Sequence, residues 1–246
     1  MNQEWWKKVF KSAYRDIFAP LYDEERTKKE VDFILKVAKP SKNTNILDLA
    51  CGQGRHSLEL GQRGYCVVGV DYSQELLGVA RENAVRDGIL HTYHKQDIRK
   101  LNIKNHFDLV FMFGNSFGYF SDADNIAVLK KVREHLKPHG KFILDLPNTA
   151  GMLRNPLGSR NDKTESGEVV TENIAFDPVT NRMSISWKFS NKKNKESHVG
   201  EFRLYMHPEL KTIAESIGFK YLKTYGSFSA EKFTIDSPRM IIVLEK

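Results

Sequence analysis

Residues 46–56 read Ile46-Leu47-Asp48-Leu49-Ala50-Cys51-Gly52-Gln53-Gly54-Arg55-His56. Residues 46–50 form a short apolar strand, which runs into a glycine-rich turn and from there into a helix. Glycines at such a turn let the backbone approach a bound cofactor, and the N-terminus of the following helix offers free N–H groups. A G-x-G pair alone is common; its weight here comes from Asp71, directly after the next strand and 17 residues beyond Gly54. An acid at about that distance is where nucleotide-binding α/β folds hold a ribose diol. Its two carboxylate oxygens can accept both hydroxyl protons.

Working outward, Thr27 opens a helix with Val31, Ile34, Leu35 and Ala38 on one face and Pro40 beyond its end. Residues 1–40 as a whole read as helical. Leu58 and Leu60 belong to the helix after the turn, which Gly64 ends. The run Cys66–Val70 is a strand of the kind that parallel sheets bury on both faces. Ser73 is a suitable N-cap for a helix carrying Leu76, Leu77, Ala80 and Ala84. Thr92–Lys95 and Phe107–Phe113 are the next strands, Ala127–Leu136 a helix stopped by Lys137-Pro138-His139-Gly140, and Lys141–Leu146 strand five. Strands alternating with helices call for a parallel sheet covered on both faces.

The period then changes. Val170, Glu172, Ile174 and Phe176 alternate with their neighbours, as do Met183, Ile185, Trp187 and Phe189, then Phe202, Leu204 and Met206. Turn residues Asp177-Pro178 separate the first two runs, which predicts an antiparallel meander with one apolar face. Pro208–Ile217 returns to helix, and Tyr221–Phe228 and Met240–Leu244 are the last strands. Residues 1–150 and 207–246 are therefore expected to form one α/β domain, with 1–40 as a helical lid and 151–206 as an inserted antiparallel lid.

Composition excludes several classes. Of 246 residues, 40% are hydrophobic, 11% aromatic and 28% charged, enough for a core and a solvated surface. Apolar runs such as Leu109–Phe113 fall far short of the roughly 20 residues a spanning helix needs. No membrane association is expected, and the N-terminus lacks the apolar stretch of a secretion signal. The two cysteines, Cys51 and Cys66, make neither a disulfide framework nor a four-ligand zinc site, and both read as small buried residues. A cytoplasmic protein, monomer or homodimer, is expected. Lys+Arg exceed Asp+Glu by 38 to 31, but basic and acidic residues interleave. The compact run Lys192-Lys193-Asn194-Lys195 lies between two strand patterns and reads as a solvated hairpin tip; nucleic acid is not the expected partner.

A dinucleotide fingerprint wants a third glycine where this chain has Ser57, and Asp48 adds an acid inside the strand before the turn. An acid there suits a cofactor with an ammonium group and no phosphate, which describes S-adenosylmethionine better than NAD. At these residues the chain resembles the class I S-adenosylmethionine-dependent methyltransferases. Asp48–Gly54 is similar to their first motif, with Ala50 where many members carry the first glycine. Val70-Asp71-Tyr72-Ser73 is similar to the acidic ribose motif, and Gln96-Asp97-Ile98 to the segment that meets the adenine. Phe107–Phe113 resembles the fourth strand and Leu136–Lys141 the approach to the fifth.

The resemblance implies a doubly wound, seven-stranded, mostly parallel Rossmann-like sheet with the meander inserted after strand five. It implies S-adenosyl-L-methionine as cofactor, with contacts from Tyr22, Asp48, Ala50, Gly52, Gly54, His56, Asp71, Tyr72, Leu76, Gln96, Asp97, Ile98 and Phe113. Leu21-Tyr22-Asp23, Asn115–Phe120 and the meander narrow it towards bacterial small-molecule enzymes similar to nucleotide-sugar N,N-dimethyltransferases and glycine N-methyltransferases. In that group Tyr22 would sit near the methionine end, while Tyr14 and Tyr119 would face the acceptor and align it.

The implied activity is direct in-line methyl transfer to an N or O atom of a small molecule; the alternative is an RNA or protein acceptor reached through the basic surface. Gly114-Asn115-Ser116-Phe117 departs from the Asp/Asn-Pro-Pro-aromatic motif of exocyclic-amine nucleic-acid enzymes, and no cysteine nucleophile stands there. Asp145 alone does not make a magnesium site, so no metal is expected. The aromatic stripe Trp5, Trp6 and Phe10 reads as helix packing.

Overall fold

β1 (Ile46–Leu49) is buried along its whole length, because it runs parallel between β2 (Val67–Asp71) and β4 (Phe107–Met112). The structure, a computed structural model, describes residues 4–10, 23–154, 158–163, 169–190 and 195–246. Around β1 a seven-stranded sheet is ordered β10-β11-β5-β4-β1-β2-β3, with β3 at Thr92–Lys95, β5 at Leu136–Pro147, β10 at Lys220–Tyr225 and β11 at Arg239–Glu245. Every pair is parallel except those made by β11, which runs antiparallel to both β5 and β10. The expected doubly wound sheet is present.

Alternation along the strands divides the core. Leu47, Leu49, Val110, Met112, Phe142 and Leu144 face α5 (Asp122–His135) and α7 (His207–Ser216). Ile46, Leu109, Phe111, Ile143 and Ile241 face α2 (Glu24–Ala38) and α3 (Arg55–Gln62), where Val31, Phe33, Ile34 and Leu60 meet them. α4 (Gln74–Arg86) packs Leu77, Ala80 and Ala84 on Tyr93 of β3 and Cys51. A one-turn helix, α1 (Trp6–Val9), lies over the opposite end of the core, with Trp5 and Trp6 buried in it. No helix among the described residues is long and apolar enough to cross a membrane.

The inserted unit is a second, antiparallel sheet ordered β6-β7-β8-β9, from Ser159–Lys163, Val169–Asp177, Arg182–Ser190 and Lys195–Arg203. It differs from the expected three-strand meander in two ways. β6, reading Ser-Arg-Asn-Asp-Lys, has no apolar alternation and owes its place to backbone pairing with β7. The third expected strand, 202–206, ends at Arg203, because the hairpin with β8 sets its register from Lys195 onward. Residues 191–194, most of the expected basic hairpin tip, lie outside the described residues. A short helix, α6 (Thr149–Arg154), precedes the insertion.

Other boundaries move for local reasons. α2 starts three residues before Thr27 because the Asp23 carboxylate accepts the Arg26 N–H and caps it. Leu136 is a strand residue rather than a helix end: it pairs with Phe107, and the register then shifts so that Leu109 meets Lys141. The irregularity takes Pro138, which has no N–H to donate, out of the ladder, with His139 in the left-handed region. Cys66 is exposed, not buried, because β2 begins only at Val67; Cys51 is buried as expected.

α2 and α3 are joined by a buried ion cluster. Glu30, 1% exposed, accepts from Arg26 and Arg55 and lies 2.7 Å from His56 Nε2. Burial pushes its carboxyl up, but the His56 hydrogen bond and charge, with Arg55 and Arg26, outweigh burial and hold the pKa at about 2 against an ordinary 4.5. A depressed carboxylate stabilises the fold above its unfolded pKa, and that stability is lost as pH falls through the folded one. The unfolding free energy should therefore drop between about pH 4.5 and pH 2. Glu30→Ala, which removes the buried acceptor shared by Arg26, Arg55 and His56, should cost about 3–5 kcal/mol in urea unfolding at pH 7 and flatten that acid limb.

Candidate active site

Strand order reverses at β1, whose neighbours β2 and β4 lead away in opposite directions, and ligands of open α/β sheets bind at the carboxyl ends of such strands. A cavity of about 270 Å³ opens there. Its floor is the turn after β1. Ala50, Gly52 and Gly54 all take positive φ, at 59°, 56° and 75°. Only Gly54 is forced to be glycine by crowding as well as by angle: a Cβ would lie 2.9 Å from Ala80 Cβ and from the Tyr93 hydroxyl. Gly54 also caps α3.

Asp71 ends β2 at the cavity wall. Its Oδ2 accepts the Gly52 N–H and its Oδ1 the Ser73 N–H, both at 2.8 Å. Burial pushes its carboxyl up, while those backbone bonds from Ser73 and Gly52 pull it partly back. Each oxygen keeps a further acceptor position. Tyr72 and Leu76 continue the wall, and Asp97 and Ile98 face it from the segment after β3. Asp97 is chelated by Arg99 at 2.6–3.1 Å. Although burial opposes it, that Arg99 contact holds the Asp97 carboxyl below its usual range.

Above the turn, the segment after β4 supplies Gly114, Ser116, Tyr119 and Phe120. Tyr119 is stacked on Phe10 at 5.6 Å and meets Trp5 edge-on at 5.0 Å and Phe202 of β9 at 5.3 Å. The inserted sheet is fastened to the same segment: Arg203 N–H donates to Gly118 O at 2.7 Å, and Arg182 to Phe120 O at 2.9 Å. Trp5 Nε1 donates to Glu201 O at 3.1 Å, which adds the N-terminal segment to the assembly.

The structure thus gathers Ala50, Gly52, Asp71, Tyr72, Leu76, Asp97, Ile98 and Tyr119 around one cavity. It does not bring every expected residue there. Asp48 lies beneath the turn, 2% exposed, accepting from Ser57 Oγ at 2.8 Å. His56 turns into the Glu30 cluster, edge-on to Phe111 and Phe113, and Phe113 is buried with it. Gly54 packs on α4, and the Gln96 side chain staples its own loop through Asn102. Tyr14 and Tyr22 lie outside the described residues. Sequence reasoning missed Trp6, Lys7 and Phe10 as cavity residues, along with Ser73, Lys95 and Ser116. Helical spacing explains Trp5, Trp6 and Phe10 equally well as packing, so no local signal separated the two roles.

Residues 46–140 match the methyltransferase domain family. The chain is 31% identical to the glycine/sarcosine N-methyltransferase of Halorhodospira halochloris, over 96% of this chain and 90% of that one. It is 30% identical to the enzyme of the same name from Aphanothece halophytica, over 96% and 91%. The chain belongs to the class I S-adenosylmethionine-dependent methyltransferases. Among solved structures, a S-adenosylmethionine-dependent methyltransferase from Clostridium acetobutylicum superposes with a TM-score of 0.79 at 25% identity, covering 98% of both chains. The protein is accordingly an enzyme that uses S-adenosylmethionine. The donor set fits this cofactor: an acid with free acceptor positions, apolar walls for a flat base, and a turn whose backbone is open to close approach.

Ala50 holds a left-handed conformation at the head of the turn, which costs a residue with a Cβ about 1–2 kcal/mol. Glycine relieves that strain but loses about 0.5–1 kcal/mol of chain entropy on folding. Ala50→Gly should therefore raise the unfolding free energy by up to about 1.5 kcal/mol in urea titration; a clear loss of stability would contradict the strain assigned to this position.

Proposed function

We propose that this methyltransferase transfers the methyl group to the amino nitrogen of a small molecule, with the cofactor in the cavity at the β1 switch point and the acceptor beside Tyr119. The observation that carries this reading is Asp71, placed at the cavity wall by β2 and aligned by the Gly52 and Ser73 N–H groups. Asp71 would hold the ribose diol, Tyr72, Leu76 and Ile98 would enclose the base, and Asp97 would lie at its polar edge. The backbone of Ala50, Gly52 and Gly114 would approach the methionine portion. Tyr14 and Tyr22 keep their proposed places at the acceptor and methionine ends.

The cofactor supplies an activated methyl on a sulfonium, and the chain supplies alignment and exclusion of water. Tyr119 is well placed for the second task, wedged among Phe10, Trp5 and Phe202. Its hydroxyl oxygen would accept an N–H of the acceptor amine and leave the lone pair free and aimed at the methyl, and the acceptor must arrive unprotonated. The segment 1–40 and the insertion 151–206 would act as lids over the 1–150 and 207–246 body, since both meet at Tyr119. An amine acceptor is favoured by the two N-methyltransferase relatives, each matched over almost the whole chain. A macromolecular acceptor draws no support from them, and many basic side chains that could have formed a positive face are paired with acids, as in Arg63 with Glu59 and Arg239 with Asp145. A cytoplasmic location accords with two free cysteines.

Removing charge-assisted bonds to the ribose costs about 1.5–3 kcal/mol. Asp71→Ala should thus weaken S-adenosylhomocysteine binding by roughly ten- to a hundredfold in calorimetry while the far-ultraviolet circular dichroism stays intact. Unchanged affinity would remove Asp71 from the site. Tyr119→Phe keeps the ring and deletes the hydroxyl, so turnover should fall about ten- to a hundredfold at nearly constant cofactor affinity. Steady-state kinetics with a small amine acceptor, glycine first, measures it.

A further inference from the structure

Among the described residues, the indole N–H of Trp6 is buried without a hydrogen-bond partner, although the side chain lines the cavity and is only 5% exposed. The other two tryptophans of the chain both donate, Trp5 to Glu201 O at 3.1 Å and Trp187 to Glu172 at 2.8 Å. An indole nitrogen is a donor only, and a buried donor left unsatisfied is costly, so such groups are rare and call for a ligand or water.

The surroundings of Trp6 say which part of the cofactor it would meet. Its ring stands edge-on to Tyr72, next to Asp71, at 4.7 Å and edge-on to Phe120 at 5.7 Å. The Arg99 guanidinium, which chelates Asp97, lies 5.6 Å from the same ring. Trp6 therefore bridges the ribose end and the base end of the cavity. Both ends of a nucleoside present acceptors: ribose oxygens and the ring nitrogens of adenine.

We infer that Trp6 Nε1–H donates a hydrogen bond to an acceptor atom of the cofactor's nucleoside, which makes the one-turn helix α1 part of the cofactor site. This rests on the placement of the cofactor proposed above. It gives α1 a binding role beyond packing and couples its docking to cofactor occupancy.

Nitrogen-15 spectra of the full chain test it, with S-adenosylhomocysteine as the probe. The three tryptophans give three indole N–H resonances, and the one missing from Trp6→Phe is assigned to Trp6. On saturation that resonance should move downfield and gain protection from exchange with water. In calorimetry Trp6→Phe should bind S-adenosylhomocysteine and adenosine more weakly by a similar factor, about three- to tenfold, since both carry the nucleoside. A Trp6 resonance that stays in place while the Gly52 and Gly114 amides shift overturns the inference and leaves the site intact, and so does equal affinity of Trp6→Phe and wild type. Saturation that leaves the Gly52 and Gly114 amides unmoved overturns the placement of the cofactor itself.

Discussion

The Asp71 carboxylate ties together the two loops that define the switch point. One oxygen takes the N–H of Gly52 from the turn after β1, and the other takes the N–H of Ser73 at the start of α4. A carboxylate drawn partly out of water is expensive to ionise, and burial does push this half-buried one up. The fold keeps it by giving it two backbone donors. The same two bonds that satisfy the acid also fix the floor and one wall of the cavity. Local order of the turn and geometry of the site therefore rest on the same pair of hydrogen bonds.

A second arrangement governs the opposite wall. Tyr119 and Phe120 leave β4 into a space that the parallel sheet does not itself fill. Two distant parts of the chain close it: Trp5, Trp6 and Phe10 from the N-terminal segment, and Trp187, Phe202 and Arg203 from the inserted sheet, the last joined to the Gly118 backbone. Aromatic rings bury large areas with few rotatable bonds, so such a cluster can orient a wall without a regular element beneath it. This wall is built from packed rings, whereas the floor and the Asp71 wall are built from strand ends and backbone turns.

Ion pairs join separate elements at two places. On the α2–α3 side, Glu30 gathers Arg26, Arg55 and His56 into a buried cluster that locks the two helices. At the far edge of the cavity region, Asp145 of β5 is bound at 2.7 Å by two nitrogens of Arg239 from β11, and Arg239 also meets Asn115. Asp145 is thereby a structural acid that joins β5, β11 and the segment after β4.

Local pattern alone determined much of this protein. The strand–turn–helix of residues 46–56, the acid at Asp71, the cap at Ser73 and the alternation of strands and helices follow from short-range sterics and hydrogen bonding; they specified the sheet, and the family resemblance they carry implied the cofactor. So did the period-two runs through Ile174 and Ile185. Tertiary structure decided what depends on side-chain direction and on distant partners. His56 occupies the expected first turn of α3, yet its ring turns to Glu30, 26 residues away in sequence, because a buried carboxylate binds it there. Asp48 sits in the motif but answers to Ser57 beneath it. β6 has no apolar signal and exists through pairing with β7. Trp5 and Trp6 are adjacent and alike in sequence, but one indole finds Glu201 and the other is buried beside the cavity without a partner. Spacing fixes where a residue stands along its element; only the packing of the whole chain supplies the partner that turns its side chain.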